Sequence, residues 1–305
     1  MQPIRGIILK ILSVLIFVTM ATLIKSTGGD VPAGEVVFFR SFFAIPVIVV
    51  WLMWSRELAT GFRTVNPLGH VWRGLIGTTA MGLGFAGLQL LPFPEVTAIG
   101  YAAPLLTVIF AAMFLNEEVR LFRMTAVAMG LVGVMIVLSP RLSVLGQGAA
   151  DARESFGAMV VLTSAVCAAL AQVFVRKLVL TERTSAIVFW FSVTATLLSL
   201  VTLPFGWVWP TPRDALLLVL AGLLGGIGQI LLTSAYRHAD ASVVAPFEYT
   251  SMLLALGIGY VLFDEVPTLV MLAGAALVVA AGVLIIWRER QLGIERGNQR
   301  KAMTP

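Results

Sequence analysis

One carboxylate inside an apolar stretch is the side chain best placed for chemistry in this sequence. Glu248 lies in the segment VVAPFEYTS, residues 243–251, roughly 9 Å along a predicted helix at about 1.5 Å per residue. A carboxylate at that depth in an apolar span is costly unless it faces water, is paired or is protonated. Glu248 is therefore a candidate to bind a proton or a cationic group, and a structural ion pair or hydrogen bond between helices is the alternative. Pro246 leaves a backbone carbonyl without its helical partner, which suits a cavity-lining segment.

Tyr101 corresponds to Glu248 in a weak internal repeat. Residues 90–119 and 237–266, which lie 147 positions apart, share a polar loop, an apolar span rich in small residues, and an acidic pair followed by Val. At this offset Tyr101 matches Glu248, and Pro104 falls near the position in the first copy that is equivalent to Pro246 in the second. The repeat predicts a central site between the two copies, although Tyr101 is equally suited to the core of a helix bundle.

Several other side chains are candidates to line or close such a site. The cavity-lining candidates offer aromatic faces or amide groups, and they are Tyr249, Phe247, Trp190, Gln89 and Gln229. Arg40, in the segment FFRSFFA, either extends to the nearest surface or pairs with Glu35, Glu95 or an anionic substrate group. Arg40, Lys25 and Glu95 are therefore candidates for a gate or an ion pair.

Composition places these residues in a multi-pass membrane protein. Hydrophobic residues make up 59% of the chain and charged residues 12%. Charge-poor runs of about 20 residues recur, and each is long enough to cross a bilayer. Ten spans are predicted, over residues 7–24, 36–54, 74–91, 95–115, 124–139, 157–175, 186–206, 214–235, 242–263 and 268–287.

The distribution of positive charge predicts the orientation of these spans. Sixteen Lys and Arg residues, with Lys10 and Arg73 counted among the loop charges, fall on the side of the two termini, and four fall on the other side. Because cytoplasmic loops are enriched in Lys and Arg, both termini are predicted to be cytoplasmic. The excess of Lys and Arg on the predicted cytoplasmic side explains the net charge of +5, so nucleic-acid binding is not expected.

The repeat divides the chain into two halves of five helices. The first repeat covers 1–139, a connector rich in Gly, Ala and Ser covers 140–156, the second repeat covers 157–288, and a basic tail covers 289–305. Since five is odd, the second half enters the membrane upside down relative to the first. The predicted fold class is an all-α membrane protein with ten transmembrane helices in two inverted repeats, which is typical of transporters.

The sequence lacks strong motifs for cofactor, nucleotide or metal chemistry. Gly82, Gly84 and Gly87 match G-x-G-x-x-G, but no strand precedes them, so close helix packing is the preferred interpretation. Neither a G-x-x-x-x-G-K-[ST] motif nor a paired-histidine motif occurs. We therefore predict no cofactor, metal or catalytic residue, and an intramembrane enzyme is the less favoured hypothesis.

From about Gly6 to Trp287 the sequence resembles the EamA-type drug/metabolite transporter superfamily. The resemblance is carried by the two five-helix halves, the Arg in FFRSFFA, the prolines of the fourth and ninth spans, and the recurring acidic pair before Val. It implies a ten-helix bundle with a central cavity and alternating access, in a bacterial cytoplasmic (inner) membrane. The implied function is that of a secondary transporter or facilitator for a small organic metabolite.

The segment VPAGEVVFFRSFFAIPV is most similar to family members that include riboflavin uptake proteins. Riboflavin uptake is therefore the specific hypothesis. The segment is also similar to relatives that move amino acids or S-adenosylmethionine, and export of amino acids or drug-like metabolites is the alternative. The predicted partners are this small-molecule substrate and the lipid bilayer, and the sequence does not indicate an oligomeric state.

Overall fold

The computed structural model describes residues 3–115, 121–142, 149–178, 181–238 and 245–302, and within these ranges the chain is helical without strands. Its α-helices are α1 (Pro3–Lys25), α2 (Ala33–Phe42), α3 (Ala44–Trp54), α4 (Leu58–Gly61), α5 (Pro67–Leu90), α6 (Phe93–Gly100), α7 (Ala102–Leu115), α8 (Leu121–Leu142), α9 (Ala149–Leu178), α10 (Thr184–Leu200), α11 (Pro212–His238), α12 (Thr250–Phe263) and α13 (Leu269–Ala302). Two 3-10 segments, Leu203–Phe205 and Ala245–Tyr249, follow α10 and precede α12.

These elements form the ten predicted spans. The second span is α2 with α3, the fourth is α6 with α7, and the ninth is the segment Ala245–Tyr249 with α12, whereas α4 is one turn in a loop. Among the described residues, five helical stretches are long and apolar enough, by length and composition, to cross a membrane, and four shorter helices are also apolar. The third span, α5, is long enough at 24 residues but less apolar, because it holds Arg73 and several glycines and threonines.

Prolines account for the interruptions in these spans. The second span is interrupted at Phe43 and the fourth at Tyr101. A proline lacks the N–H that would bond the carbonyl four residues earlier, and its ring clashes with that carbonyl. Pro46 and Pro104 therefore end α2 at Phe42 and α6 at Gly100, and the continuous helices predicted over 36–54 and 95–115 are each two helices in the structure.

Each span of the first half packs against a span of the second half. The contacts include those of the first span with the eighth, the second with the seventh, the third with the sixth, the fourth with the ninth and the fifth with the tenth, and the fourth span also packs on the sixth. If each span is replaced by its equivalent in the other half, the same five pairs result; for example, the pair of the first and eighth spans becomes the pair of the sixth and third. Inverted repeats require this symmetry. Glycines permit close approach: a Cβ at Gly133 of α8 would lie 2.8 Å from the carbonyl oxygen of Gly274 in α13.

The structure differs from the predicted boundaries at the connector and the tail. Helix α8 continues to Leu142 and α9 begins at Ala149, so only residues 143–148 of the predicted connector separate them, and these lie outside the described ranges. Helix α13 continues to Ala302, so the predicted tail is helical up to that residue. The extension of α9 contains three Ala residues, an Arg and a Glu, and the extension of α13 is rich in Arg, Glu and Gln, all of which are strong helix formers. The acidic pair Glu117-Glu118 also lies outside the described residues.

Candidate functional site

An ion pair joins the first and ninth spans. Glu248 lies in the 3-10 segment Ala245–Tyr249, and its Oε2 accepts a hydrogen bond from Nζ of Lys10 in α1. Only 1% of the Lys10 side chain is exposed, against 50% of the Glu248 side chain. Since a buried ammonium is costly without a counter-charge, Glu248 compensates Lys10 and remains accessible on one side. Lys10 is thus an interior residue of the first span, as the predicted bounds 7–24 imply, and it does not belong in the count of loop charges.

The fourth and ninth spans meet at the two residues that the repeat aligns. The hydroxyl of Tyr101, at the interruption between α6 and α7, lies 2.5 Å from Ser251 Oγ and donates to the Glu248 carbonyl at 3.4 Å. The rings of Tyr101 and Tyr249 meet edge to face, with centroids 5.0 Å apart. Tyr101 is buried, and Tyr249 is half-buried and packs against α13 beside Gly282. The structure therefore brings Glu248, Tyr101 and Tyr249 together.

A second ion pair joins the opposite ends of the same two spans. Nζ of Lys25, the last residue of α1, lies 2.8 Å from Glu265 Oε1, just beyond α12. The ammonium also donates to the carbonyls of Leu88 and Leu91 at the end of α5, where positive charge is favourable. The other carboxylate oxygen of Glu265 accepts from the N–H of Phe93 at 2.7 Å. Helix α1 thus runs parallel to the ninth span, with an ion pair near each end.

Two arginines face one aromatic ring between α2, α5 and α10. Cζ of Arg73 lies 3.4 Å from the centroid of the Phe191 ring, and Cζ of Arg40 lies 5.8 Å from it. Arg40 is buried, and within the described residues neither arginine forms an ion pair. Glu35 instead accepts from the Val208 N–H at 3.1 Å. The predicted pairing of Arg40 with Glu35 or Glu95 is therefore not formed, and Arg73, predicted as a loop residue, lies inside α5.

Two of the remaining candidates are engaged by the backbone. Gln89 donates to the Val31 carbonyl at 2.8 Å, and Trp190 donates to the Phe62 carbonyl at 3.0 Å. Both side chains therefore tie a loop to a helix. The other three are placed as follows: Glu95 is buried in the first turn of α6, Phe247 is half-buried in the segment Ala245–Tyr249, and Gln229 is half-buried on α11.

Comparison with known proteins assigns this helical architecture to a family. The family model described as "EamA-like transporter family" matches residues 4–139 and 155–287. The chain belongs to this family. The resemblance predicted from the sequence is thereby confirmed, and membership of this transporter family implies that the chain is embedded in a membrane and has a small-molecule substrate.

Relatives of this EamA-family protein carry different substrate names. The pseudopaline exporter CntI of Pseudomonas aeruginosa is 30% identical over 284 residues, covering 92% of this chain and 95% of the relative. An S-adenosylmethionine uptake transporter of Rickettsia bellii is 27% identical over 269 residues, covering 88% of each. A riboflavin transporter of Rhizobium johnstonii is 29% identical over 259 residues, covering 85% of this chain and 82% of that one.

The fold is also that of a solved structure. A crystal structure described only as that of a protein has a TM-score of 0.66 and 22% identity, and it covers 94% of this chain and 98% of its own. At this identity the likeness concerns the fold alone.

A further contact between the halves of the EamA-family bundle centres on Glu182, which the sequence did not single out. Glu182, in the loop between α9 and α10, accepts three hydrogen bonds at 2.7 Å from the Thr64 hydroxyl and the Val65 and Asn66 N–H groups. Nε2 of His70 lies 3.6 Å away. Burial alone would raise the pKa of Glu182, but the hydrogen bonds and His70 outweigh it, so the pKa is below its usual 4.5. The only sequence signal was an acidic residue in a short loop.

Proposed function

We propose that this chain is a secondary transporter or facilitator that moves a small organic metabolite across the membrane by alternating access. The observation that carries the proposal is the contact of the fourth and ninth spans, where Tyr101, Tyr249 and the ion pair of Lys10 and Glu248 come together. Polar and charged groups at the interface between inverted repeats are typical of solute and ion sites. Membership of a transporter family supports transport rather than catalysis.

Glu248 is the proposed binding group of this site. Its carboxylate is half exposed beside the buried ammonium of Lys10, so a proton or a cationic group of the solute can compete with Lys10 for it. The aromatic faces of Tyr101, Tyr249 and Phe247 then contact the solute, since aromatic rings offer large apolar surfaces next to polar groups.

The two ion pairs are the proposed gates. Lys10 and Lys25 are 15 residues apart in α1, which corresponds to about 22 Å at 1.5 Å per residue. Each lysine holds the ninth span at one end. In alternating access one end opens while the other stays closed, and breaking one pair while keeping the other would achieve this. The pair of Lys25 and Glu265 closes the end away from the chain termini.

Solute flux tests the proposal directly. The full chain is reconstituted in proteoliposomes without ATP, and uptake of labelled riboflavin and S-adenosylmethionine is measured with and without imposed proton gradients. We expect saturable flux of at least one solute, and Glu248→Gln should flatten its pH dependence. Lys177→Met, which alters an exposed residue of α9, is the control. Full activity of Glu248→Gln with an unchanged pH profile would remove Glu248 from the mechanism.

Riboflavin uptake is the specific substrate hypothesis, and the relative named a riboflavin transporter supports it. Expression in a strain that neither makes nor imports riboflavin should restore growth on low vitamin. Absence of rescue despite verified membrane insertion would reject riboflavin. Export is the second candidate, because the relative named a pseudopaline exporter is similar over nearly the whole chain.

The proposed location is a bacterial cytoplasmic (inner) membrane with both termini in the cytoplasm. The charge bias supports this orientation after Lys10 and Arg73 are removed from the loops. Impermeant labelling of tags at each end of the chain should modify both ends only in inverted vesicles.

A further inference from the structure

Two guanidinium groups, those of buried Arg40 and half-buried Arg73, lie between helices without a counter-charge among the described residues. Arg40 is 5% exposed, and the atoms Arg40 Nε, Arg73 Nε and Arg73 Nη1 are enclosed without a hydrogen-bond partner. Arginine stays protonated in proteins. The region between α2, α5 and α10 therefore carries two positive charges that no described carboxylate neutralises.

The aromatic ring between the arginines does not account for their burial. Both guanidinium groups face Phe191, and Arg73 lies directly over it at 3.4 Å. A cation–π contact offsets only a small part of the cost of taking a guanidinium out of water, and one ring cannot relieve the repulsion between two like charges. A further partner is needed to complete the site.

Glycines beside the arginines leave room for both side chains. A Cβ at Gly77 would lie 2.5 Å from Arg73 Nη1, and a Cβ at Gly225 would lie 3.1 Å from Arg40 Nε. The hydroxyls of Ser41 and Thr78, on the same helices as the arginines, are also enclosed without a partner. The missing partner is thus a group that accepts hydrogen bonds and carries negative charge.

We propose that Arg40 and Arg73 bind a carboxylate of the transported solute. This inference rests on the proposed function and deepens it by naming a substrate class: small organic metabolites with at least one carboxylate. The planar fork of Arg matches a carboxylate or a phosphate in a bidentate manner. The phosphate of a lipid headgroup offers the same chemistry, but the burial of Arg40 between helices favours a solute that enters the bundle.

The carboxylate site separates the substrate hypotheses. S-adenosylmethionine has a carboxylate, whereas riboflavin is neutral and has none. A solute with both a cationic and an anionic group could bind Glu248 at one end and the arginine pair at the other. Riboflavin would leave both arginines without a partner.

The matched probes are S-adenosylmethionine and its decarboxylated form, which differ only in the carboxylate. Binding of each to the purified full chain in a neutral detergent is measured by competition with radiolabelled S-adenosylmethionine. The wild type should prefer the carboxylate form by about tenfold to a hundredfold, the range expected for hydrogen bonds to a charged group. Arg40→Gln and Arg73→Gln should reduce this preference to less than about threefold. Arg63→Gln, at an exposed position before α5, should keep it.

The apparent melting temperature of the protein without any probe is a second measurement. It distinguishes a solute-binding role of the arginines from a structural role, because the two roles predict opposite changes. Arg40→Met and Arg73→Met remove an uncompensated charge and leave a shorter, unbranched apolar side chain, so each should raise the apparent melting temperature. Arginines that stabilise the bundle by themselves would give variants that melt lower.

The proposal stands only if the carboxylate preference is lost in both Gln variants and both Met variants melt higher. Any other combination overturns it. A wild-type melting temperature that rises with added phosphatidylglycerol but not phosphatidylcholine, and loses this response in the Met variants, would assign the site to a lipid headgroup and also overturn it. Riboflavin flux alongside these negative results would leave the transport proposal intact, whereas absence of flux for every solute tested would count against transport itself.

Discussion

Removing either partner of the ion pair between Lys25 and Glu265 should have unequal effects. The side chains are 12% and 15% exposed, so both charges are largely shielded from water. Breaking a buried pair costs about 3–5 kcal/mol. Lys25→Met also removes the two hydrogen bonds to the carbonyls of Leu88 and Leu91, so we expect about 3 kcal/mol even with this partial exposure.

Glu265→Gln should cost less, about 1–2 kcal/mol. The amide oxygen of the new side chain can still accept a hydrogen bond from the Phe93 N–H. Lys25 keeps its hydrogen bonds to the carbonyls of Leu88 and Leu91 and its contact with the Phe263 ring. The double variant should resemble Lys25→Met alone, which gives a coupling energy of about 1–2 kcal/mol. Reversing the charges with Lys25→Glu and Glu265→Lys should not restore stability, because a carboxylate at position 25 would face carbonyl oxygens.

The assay is reversible unfolding of the full chain in mixed micelles, with Lys177→Met as the control. If the pair is also a gate, its loss should favour opening at that end by up to about a hundredfold, since about 3 kcal/mol corresponds to roughly two factors of ten. Impermeant thiol labelling of a cysteine placed at Ser251, with Cys167→Ala, reports this opening. Additive effects of the two substitutions, or a larger cost for Glu265→Gln than for Lys25→Met, would refute the reasoning.

Three further results are expected from single positions. Glu182→Gln should destabilise the bundle by about 1–3 kcal/mol at neutral pH. Because the folded-state pKa of Glu182 is lowered from 4.5, its contribution is fully present above that value and is lost as the pH falls through the lower folded-state pKa. The melting temperatures of wild type and variant should therefore begin to converge only below pH 4.5. Gly282→Ala should impair flux and stability, since a Cβ there would overlap the Tyr249 hydroxyl, whereas Ala at Gly100, which has open space, should be tolerated in the same assays. Tyr101→Phe removes the hydroxyl contact with Ser251 and should cost about 1 kcal/mol; a variant as stable as the wild type would show that this contact contributes nothing.

The architecture and one contact were predictable because they depend on hydropathy and on an internal repeat, both of which can be read from the sequence. Hydropathy defined the spans, and the 147-residue offset aligned Tyr101 with Glu248, which the structure places in contact. The acid was predicted either to bind a ligand or to pair with another helix, and the structure shows it paired with Lys10. That partner lies 238 residues away, and no local pattern could identify it.

The errors concern charges near helix ends and prolines inside spans. Lys10 and Arg73 lie within two turns of the ends of α1 and α5, where a sequence cannot distinguish a side chain that extends to the surface from one that packs inward. Their inward direction follows from neighbours on other helices, Glu248 for one and Phe191 for the other. The break at Phe43 had a local signal in Pro46, which was not used.

The pairing of spans across the halves has a consequence for how such a bundle can be assembled. Every first-half span finds its main partner in the second half, so five helices alone would leave their packing faces bare. A chain of half this length could complete the same bundle only with a sibling copy inserted in the reverse direction. Duplication and fusion of one ancestral segment with dual topology would then fix both orientations in a single polypeptide.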